Sequence, residues 1–462
     1  MNNTKKTMIN DLTQGPVTKQ LLLFALPIMG ASLLQALYTL VDLWAVGNFA
    51  DAAAISAVAI SSQIVFLIHA IGIGLANAGQ VLIAQQVGAK EYSRISTTIG
   101  TLLTFSTLAS SVVAVIGAIG ANLWMGLLQV PAEAWDGAVS YLLICCLGTP
   151  AMCVCGSMCA VLRGIGESKV PMYILAVSAV SNMVMDFIFV AGLDMGAAGA
   201  AWATILAQVF GAIYAVIYVY RHREAMGFDF SRKAFRMERS TLKVLLRIGT
   251  PLVIMSGSVT LSMMVVSAFI NAFGVAAAAI TGIGAKVSSL VNVVTSAMQA
   301  ATGSMVGQNF AAGRIDRVKK VNLVSNAVCL IFFVFVGIAV LALPEQIIGL
   351  FTQPSETEVL ALARPYMNVA FWLFLAFCTM TTSLGHINGV GNTRLNLIIA
   401  LVDSVFGRIG LSILLGHVLG WGVSGFWWGN ALAAYVSVIV GLGYFFFGKW
   451  EKRELLLSDP SR

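Results

Sequence analysis

Between Gln20 and Phe447 the chain keeps returning to apolar runs of about twenty residues or more, separated by short polar or glycine-rich connectors. A run of that length crosses a hydrocarbon core of about 30 Å as a single helix. Inside lipid every backbone N–H and C=O needs a partner within the protein, so such a chain folds as packed helices. Twelve spans are expected, at about 20–46, 52–76, 96–120, 137–160, 170–191, 197–220, 244–270, 277–302, 321–343, 364–386, 394–416 and 424–447. Only 10% of residues are charged, well below the roughly 25% of soluble domains. A membrane barrel would instead alternate over segments of about ten residues. The polar start, MNNTKKTMINDLTQGPVTKQ, lacks the apolar core and cleavage site of a signal peptide. Pro27 in the first span is tolerable in a membrane helix.

Charge sets the expected orientation, because Lys and Arg concentrate in cytoplasmic loops. With the N-terminus inside, 24 of the 27 Lys and Arg residues fall on the cytoplasmic side. The exceptions are Lys286, Arg364 and Arg408. The opposite loops hold seven acids and only Arg364. A multi-pass protein of the cytoplasmic (inner) membrane with both termini in the cytoplasm is expected. The net charge of +7 is then a topology signal. The basic connector RHREAMGFDFSRKAFRMER reads as a solvated segment facing lipid headgroups, with no nucleic-acid partner expected.

That connector divides two similar halves. LRGIGESKVP matches INGVGNTRLN at an offset of 225, and AQQVGAKEYSRI resembles GQNFAAGRIDRV. GAAGAAW parallels GVSGFWW, and Pro27 pairs with Pro251. The expected organisation is a cytoplasmic segment 1–19, a lobe of six spans over 20–220, a connecting loop 221–243, a second lobe over 244–447 and a cytoplasmic tail 448–462. Six spans per half give both halves one orientation, so the expected fold is an all-α integral membrane protein of two six-helix lobes. They should be related by a pseudo-two-fold axis along the membrane normal. Duplicated lobes of this kind suit a transporter.

Five charged residues remain inside spans: Asp42, Asp186, Lys286, Asp403 and Arg408. Each is a functional candidate, since a charge in lipid costs at least about 2.5–3.5 kcal/mol. Counted from the outer ends of their spans at 1.5 Å per residue, Asp42 lies about 6 Å deep, Asp186 about 8 Å, Thr204 about 10 Å and Asn182 about 13 Å. Asp186 and Asn182 share a helix face, and Gln35, Tyr38 and Asp42 form a polar stripe. Two carboxylates with an amide and a hydroxyl suit a small hard cation bound through oxygen, or a proton. The coupling ion is therefore Na⁺ or H⁺, with Asp42, Asn182, Asp186 and Thr204 as metal ligands only if it is Na⁺.

The other buried charges are harder to place. Asp403 and Arg408 stand five apart on one span, near but not on one α-helical face, and are expected to form a charge pair or line a cavity. Lys286 lies about ten residues into its span and is expected to pair with a carboxylate or face a cavity. His69 and His386 read as packed residues. The seven cysteines lie in apolar segments without His or carboxylate companions at ligand spacing, and read as small packing residues. No Walker-type, H-E-x-x-H or G-x-S-x-G sequence is present, so neither a cofactor nor enzymatic activity is expected.

The chain resembles the MATE (multidrug and toxic compound extrusion) family, in its DinF-like branch. The resemblance rests on LPIMGASLLQALYTLVDLWAVGNFADAAAISAVA, GQVLIAQQVGAKE, LRGIGESKVPMY and above all NMVMDFIFVAGLDMGAAGAAWAT. It implies a cation-coupled antiporter that exports organic cations and amphipathic toxic compounds by alternating access, working as a monomer in the bilayer. It places Asp42, Asn182, Asp186 and Thr204 at the coupling site, and Gln35 and Tyr38 at positions that line the cavity of the first lobe or support the site. The tenth span, NVAFWLFLAFCTMTTSLGHIN, lacks the acid that NorM-type members carry there. A flippase or exporter of a lipid-linked or anionic metabolite would want a basic cavity, which only Lys286 and Arg408 could supply. A membrane enzyme or receptor would need a reactive cluster or an added domain.

Overall fold

Every expected apolar run is helical in the computed structural model, which describes residues 9–352 and 356–456. The parts of the two expected tails at 1–8 and 457–462 lie outside the described residues. The twelve long helices are α1 (Val17–Phe49), α2 (Ala52–Gly88), α3 (Tyr92–Ile119), α4 (Trp135–Gly164), α5 (Lys169–Asp186) and α6 (Gly196–Arg221) in the first half. In the second they are α7 (Arg239–Asn271), α8 (Val275–Ala311), α9 (Ile315–Ala342), α10 (Ala363–Gly389), α11 (Thr393–Leu401) and α12 (Val423–Phe447). Among the described residues there is no strand. Twelve stretches are long and apolar enough to span a membrane, α5 and α11 each together with the turns that follow them. Large apolar side chains stay exposed on their outer faces, Phe447 at 89% and Ile119 at 82%, as lipid-facing positions should.

The chain forms two compact units. One holds residues 9–12, Leu26–Val253 and 456; the other holds Thr13–Ala25 and 254–455. The division falls inside α1 and α7 rather than at the connectors alone. Pro27 and Pro251 sit within two residues of those points. Each proline removes a backbone donor from its helix.

In the first unit α2 packs along α4, α4 along α6, and α5 along α6. In the second, α8 packs along α10 and α10 along α12, so the pairing repeats. Small residues permit the close packing, with Ala57, Ala138 and Ala201 fully buried around Leu142.

Two helices widen. Phe187–Gly192 after α5, and Val402–Leu411 and Leu414–Val418 after α11, are π-helical. Such turns are rare and concentrate at functional positions. The halves even end these stretches alike. Leu193 N–H donates to the Ile188 carbonyl at 2.9 Å, and Leu419 N–H to that of Leu414 at 2.8 Å.

The repeated connectors also share a conformation. After α2 the Glu91 N–H reaches back to the Gln86 carbonyl, and after α8 the Arg314 N–H to that of Asn309, both at 2.9 Å. Each turn needs one left-handed residue, and there φ is 61° at Lys90 and 71° at Gly313. This is a helix C-terminal turn that glycine suits and lysine strains. Lys90 is exposed, so replacing it removes no buried contact. Lys90→Gly is expected to stabilise the purified protein by on the order of 1 kcal/mol and so raise its Tm, and Gly313→Lys to destabilise it comparably and lower its Tm. Thermal-unfolding midpoints that move in neither variant would contradict the shared turn.

Candidate functional site

The face of α5 toward the interior carries Ser178, Asn182 and Asp186 at helical spacing, with residual exposures of 3%, 2% and 0%. With both acids ionised, no described residue donates to either Asp186 oxygen, and both Asn182 side-chain polar atoms are unpartnered. Asp42 lies within hydrogen-bonding reach of Asp186, and Cys155 within reach of the Ser178 hydroxyl. A bare carboxylate so enclosed is strongly disfavoured. Asp186 is also the last residue of α5 before the π-helical turns begin.

Asp42 of α1 brings a second carboxylate to the same place. It is partly buried, its Oδ1 has no partner, and its charge and that of Asp186 act on each other. Tyr38, one turn before Asp42, lies within reach of both acids and of Gln35. Gln35 itself is exposed; its carbonyl accepts from the Thr39 hydroxyl at 2.9 Å. The expected stripe on α1 thus runs from an exposed amide to a partly buried acid.

Thr204 is partly buried on α6. The register of α5 against α6 is fixed where Gly211 faces Ser178, since a Cβ at Gly211 would overlap the Ser178 hydroxyl. Eight residues along α5 from Ser178 is Asp186, and seven back along antiparallel α6 from Gly211 is Thr204. The two are level to about 1.5 Å of rise.

One neighbour was not marked in the sequence. Tyr141 of α4 is 7% exposed and lies within electrostatic range of Asp42, Tyr38 and Cys145. Within SYLLICCL it reads as one more core aromatic, and only the packing of α4 against α2 and α6 carries it to the acids.

This donor set is made of oxygens: two carboxylates, an amide, a threonine hydroxyl and phenols. Among the described residues no group of three or more His, Cys, Asp or Glu side chains gathers. Oxygen donors of this kind suit Na⁺ or a proton and not a metal that favours nitrogen or sulfur.

The second unit balances its buried charges internally. Arg408 Nη2 meets Asp403 Oδ2 at 2.9 Å, both side chains being 5% exposed, and Arg408 Nη1 donates to Asn430 Oδ1 at 3.1 Å. The spacing of five, off-register in an α-helix, is explained by the π-helical turn, whose i→i+5 geometry stacks such residues.

Lys286 finds no carboxylate partner. It is exposed, it forms no ion pair among the described residues, and it is absent from the walls of the cavity described below. Its neighbours Gly282, Ala285, Ser289 and Leu290 are exposed too, and Ala285 and Ser289 line that cavity. His386 packs in an aromatic cage, 4.7 Å from Trp450 and 5.2 Å from Phe445 between ring centres. All seven cysteines are buried and free.

Comparison with known proteins gives this arrangement a family. The MatE family profile matches residues 27–188 and 251–414, once in each half. The chain is 27% identical to the "Probable multidrug resistance protein YoeA" of Bacillus subtilis, over 98% of this chain and 99% of that protein. It is 28% identical to the "Probable multidrug resistance protein YpnP" of the same organism, over 96% and 98%. Among solved structures, a MOP superfamily transporter from Pyrococcus furiosus shares the fold, with a TM-score of 0.88 at 21% identity over 98% of this chain and all of that one. The chain belongs to the MatE family, that of the MATE multidrug efflux transporters.

Proposed function

We propose that this protein is a monomeric antiporter of the cytoplasmic membrane, with both termini in the cytoplasm. It exports organic cations and amphipathic toxic compounds in exchange for Na⁺ or H⁺. The observation that carries the reading is Asp186, fully buried, with no donor to either oxygen while ionised and a second acid, Asp42, within hydrogen-bonding reach. A carboxyl in that state calls for a proton or a cation. The relatives named as multidrug resistance proteins support the substrate class, and the acid-free α10 supports the DinF-like branch.

In the proposed cycle, Asp42 and Asp186 take the ion from outside, with Asn182 and Thr204 completing the oxygen set and Gln35 and Tyr38 supporting it. Neutralising the pair favours a conformation that releases the exported compound outward. On the cytoplasmic side the ion leaves and the next compound binds. The exchange requires only that ion and compound favour opposite states. No covalent step and no cofactor is involved. A carrier of lipid-linked phosphate would draw on Lys286 and Arg408, and since the charge of Arg408 is matched by Asp403, Lys286 alone would be left to hold the phosphate.

Proteoliposomes loaded with a fluorescent cation test this directly under separately imposed Na⁺ and H⁺ gradients. One gradient is expected to drive efflux by the wild type, and Asp42→Asn or Asp186→Asn to slow it by at least roughly tenfold. Wild-type efflux in both correctly inserted variants would sink the proposal. Where Na⁺ is the driver, protons and Na⁺ compete for the same oxygens. A protonated carboxyl is a poorer cation ligand, so the Na⁺ concentration for half-maximal efflux should rise as the pH is lowered. A half-saturation value independent of pH would contradict a shared site.

A further inference from the structure

The second unit contains a cavity of about 270 Å³ that the proposed coupling site does not use. Its walls come from α7, α8, α10 and α12, with Tyr366 and Trp427 set edge to face at 5.1 Å between ring centres. Apolar side chains supply most of the rest. No Asp, Glu, Lys or Arg lines it. That volume lies just below the roughly 300–1,000 Å³ of a drug-sized site, so the cavity holds one ring system rather than a whole large compound.

The polar atoms in its walls are oriented by their partners. The Ser288 hydroxyl donates to the Gly284 carbonyl at 2.8 Å, and Trp427 Nε1 donates to Thr281 Oγ1 at 2.9 Å. These donors are already committed. Asn430 is the opposite case. Its Oδ1 accepts from Arg408 Nη1, and Arg408 is itself fixed by Asp403. A guanidinium has no acceptor, so the amide oxygen must face it and the Nδ2 hydrogens are left for another partner. Asn292 also lines the cavity, but the Thr295 hydroxyl is shared between its Oδ1 and the Val291 carbonyl, both at 3.4 Å, so its amide is not fixed in the same way. The cavity therefore combines aromatic walls with an amide donor and lacks a counter-charge for a cation.

We infer that this cavity is a second substrate subsite, taking a neutral aromatic group that carries a hydrogen-bond acceptor such as a carbonyl, with Asn430 as its specificity-determining donor. The inference rests on the multidrug-export reading and names a substrate class within it. It also gives the Asp403–Arg408 pair a positioning role, since the pair fixes which end of the Asn430 amide faces the cavity. A cationic centre would be desolvated there without compensation, whereas the acids of the first unit offer one.

The test uses the purified full chain and two probes. One is a neutral coumarin, a fused aromatic lactone; the other is ethidium, a permanent cation. Ser267 lines the cavity, so in Ser267→Cys saturating coumarin is expected to slow maleimide labelling of the new thiol. In equilibrium dialysis Asn430→Leu should raise the coumarin Kd about fivefold to tenfold, the range one hydrogen bond represents, and leave that of ethidium unchanged. Labelling unaffected by coumarin, or an unchanged coumarin Kd in Asn430→Leu, would overturn the inference. If Asn430→Leu does not fold, the labelling result decides alone. Failure of the export reading looks different: no ion gradient drives ethidium efflux, while coumarin still protects the thiol.

Discussion

A carboxylate inside a membrane span costs at least about 2.5–3.5 kcal/mol, and what offsets that cost decides what each half of this protein can do. Asp403 has its counter-charge in the same chain, 2.9 Å away on Arg408. Asp186 has none: it is fully buried, no donor reaches its oxygens while it is ionised, and the neighbour within hydrogen-bonding reach is another acid. Only the second arrangement depends on something from outside the protein to become neutral. A transporter needs that dependence if an ion is to change the relative stability of its states.

The two halves thus elaborate one plan in opposite ways. The helix pairing, the left-handed residue after α2 and α8, and the widened turns after α5 and α11 all recur. Within the repeated span the first half carries an acid and an amide, and the second an acid and its own cation. The widened turn serves each. It follows directly on Asp186, and it makes a contact pair of Asp403 and Arg408.

Much of this was legible in the sequence because lipid leaves the backbone few choices. Apolar length and charge asymmetry located the spans, and the repeated glycine connectors marked the halves. The acids were visible because a charge among apolar residues has no bland reading of equal weight. What sequence could not supply was anything set by side-chain packing between spans. Tyr141 looks like core and lies within electrostatic range of Asp42. Lys286 looks buried by position and is exposed, since depth along a helix does not say which face a residue is on. Asp403 and Arg408 looked misaligned because an α-helical period was assumed where the helix is π. The division of α1 near Pro27 and of α7 near Pro251 likewise reflects which helices each segment packs against, which the apolar pattern does not encode.

In the proposed cycle Asp42 and Asp186 form one ion site whose occupancy is linked to that of the exported compound. Linkage is reciprocal, so it can be read on purified protein with no membrane gradient. The measurement is ion release on adding ethidium, followed with radioactive Na⁺ and with a pH electrode in weakly buffered solution. The account predicts release of Na⁺ or protons by the wild type and neither by Asp186→Asn. Ethidium binding that displaces no ion from the wild type would contradict it.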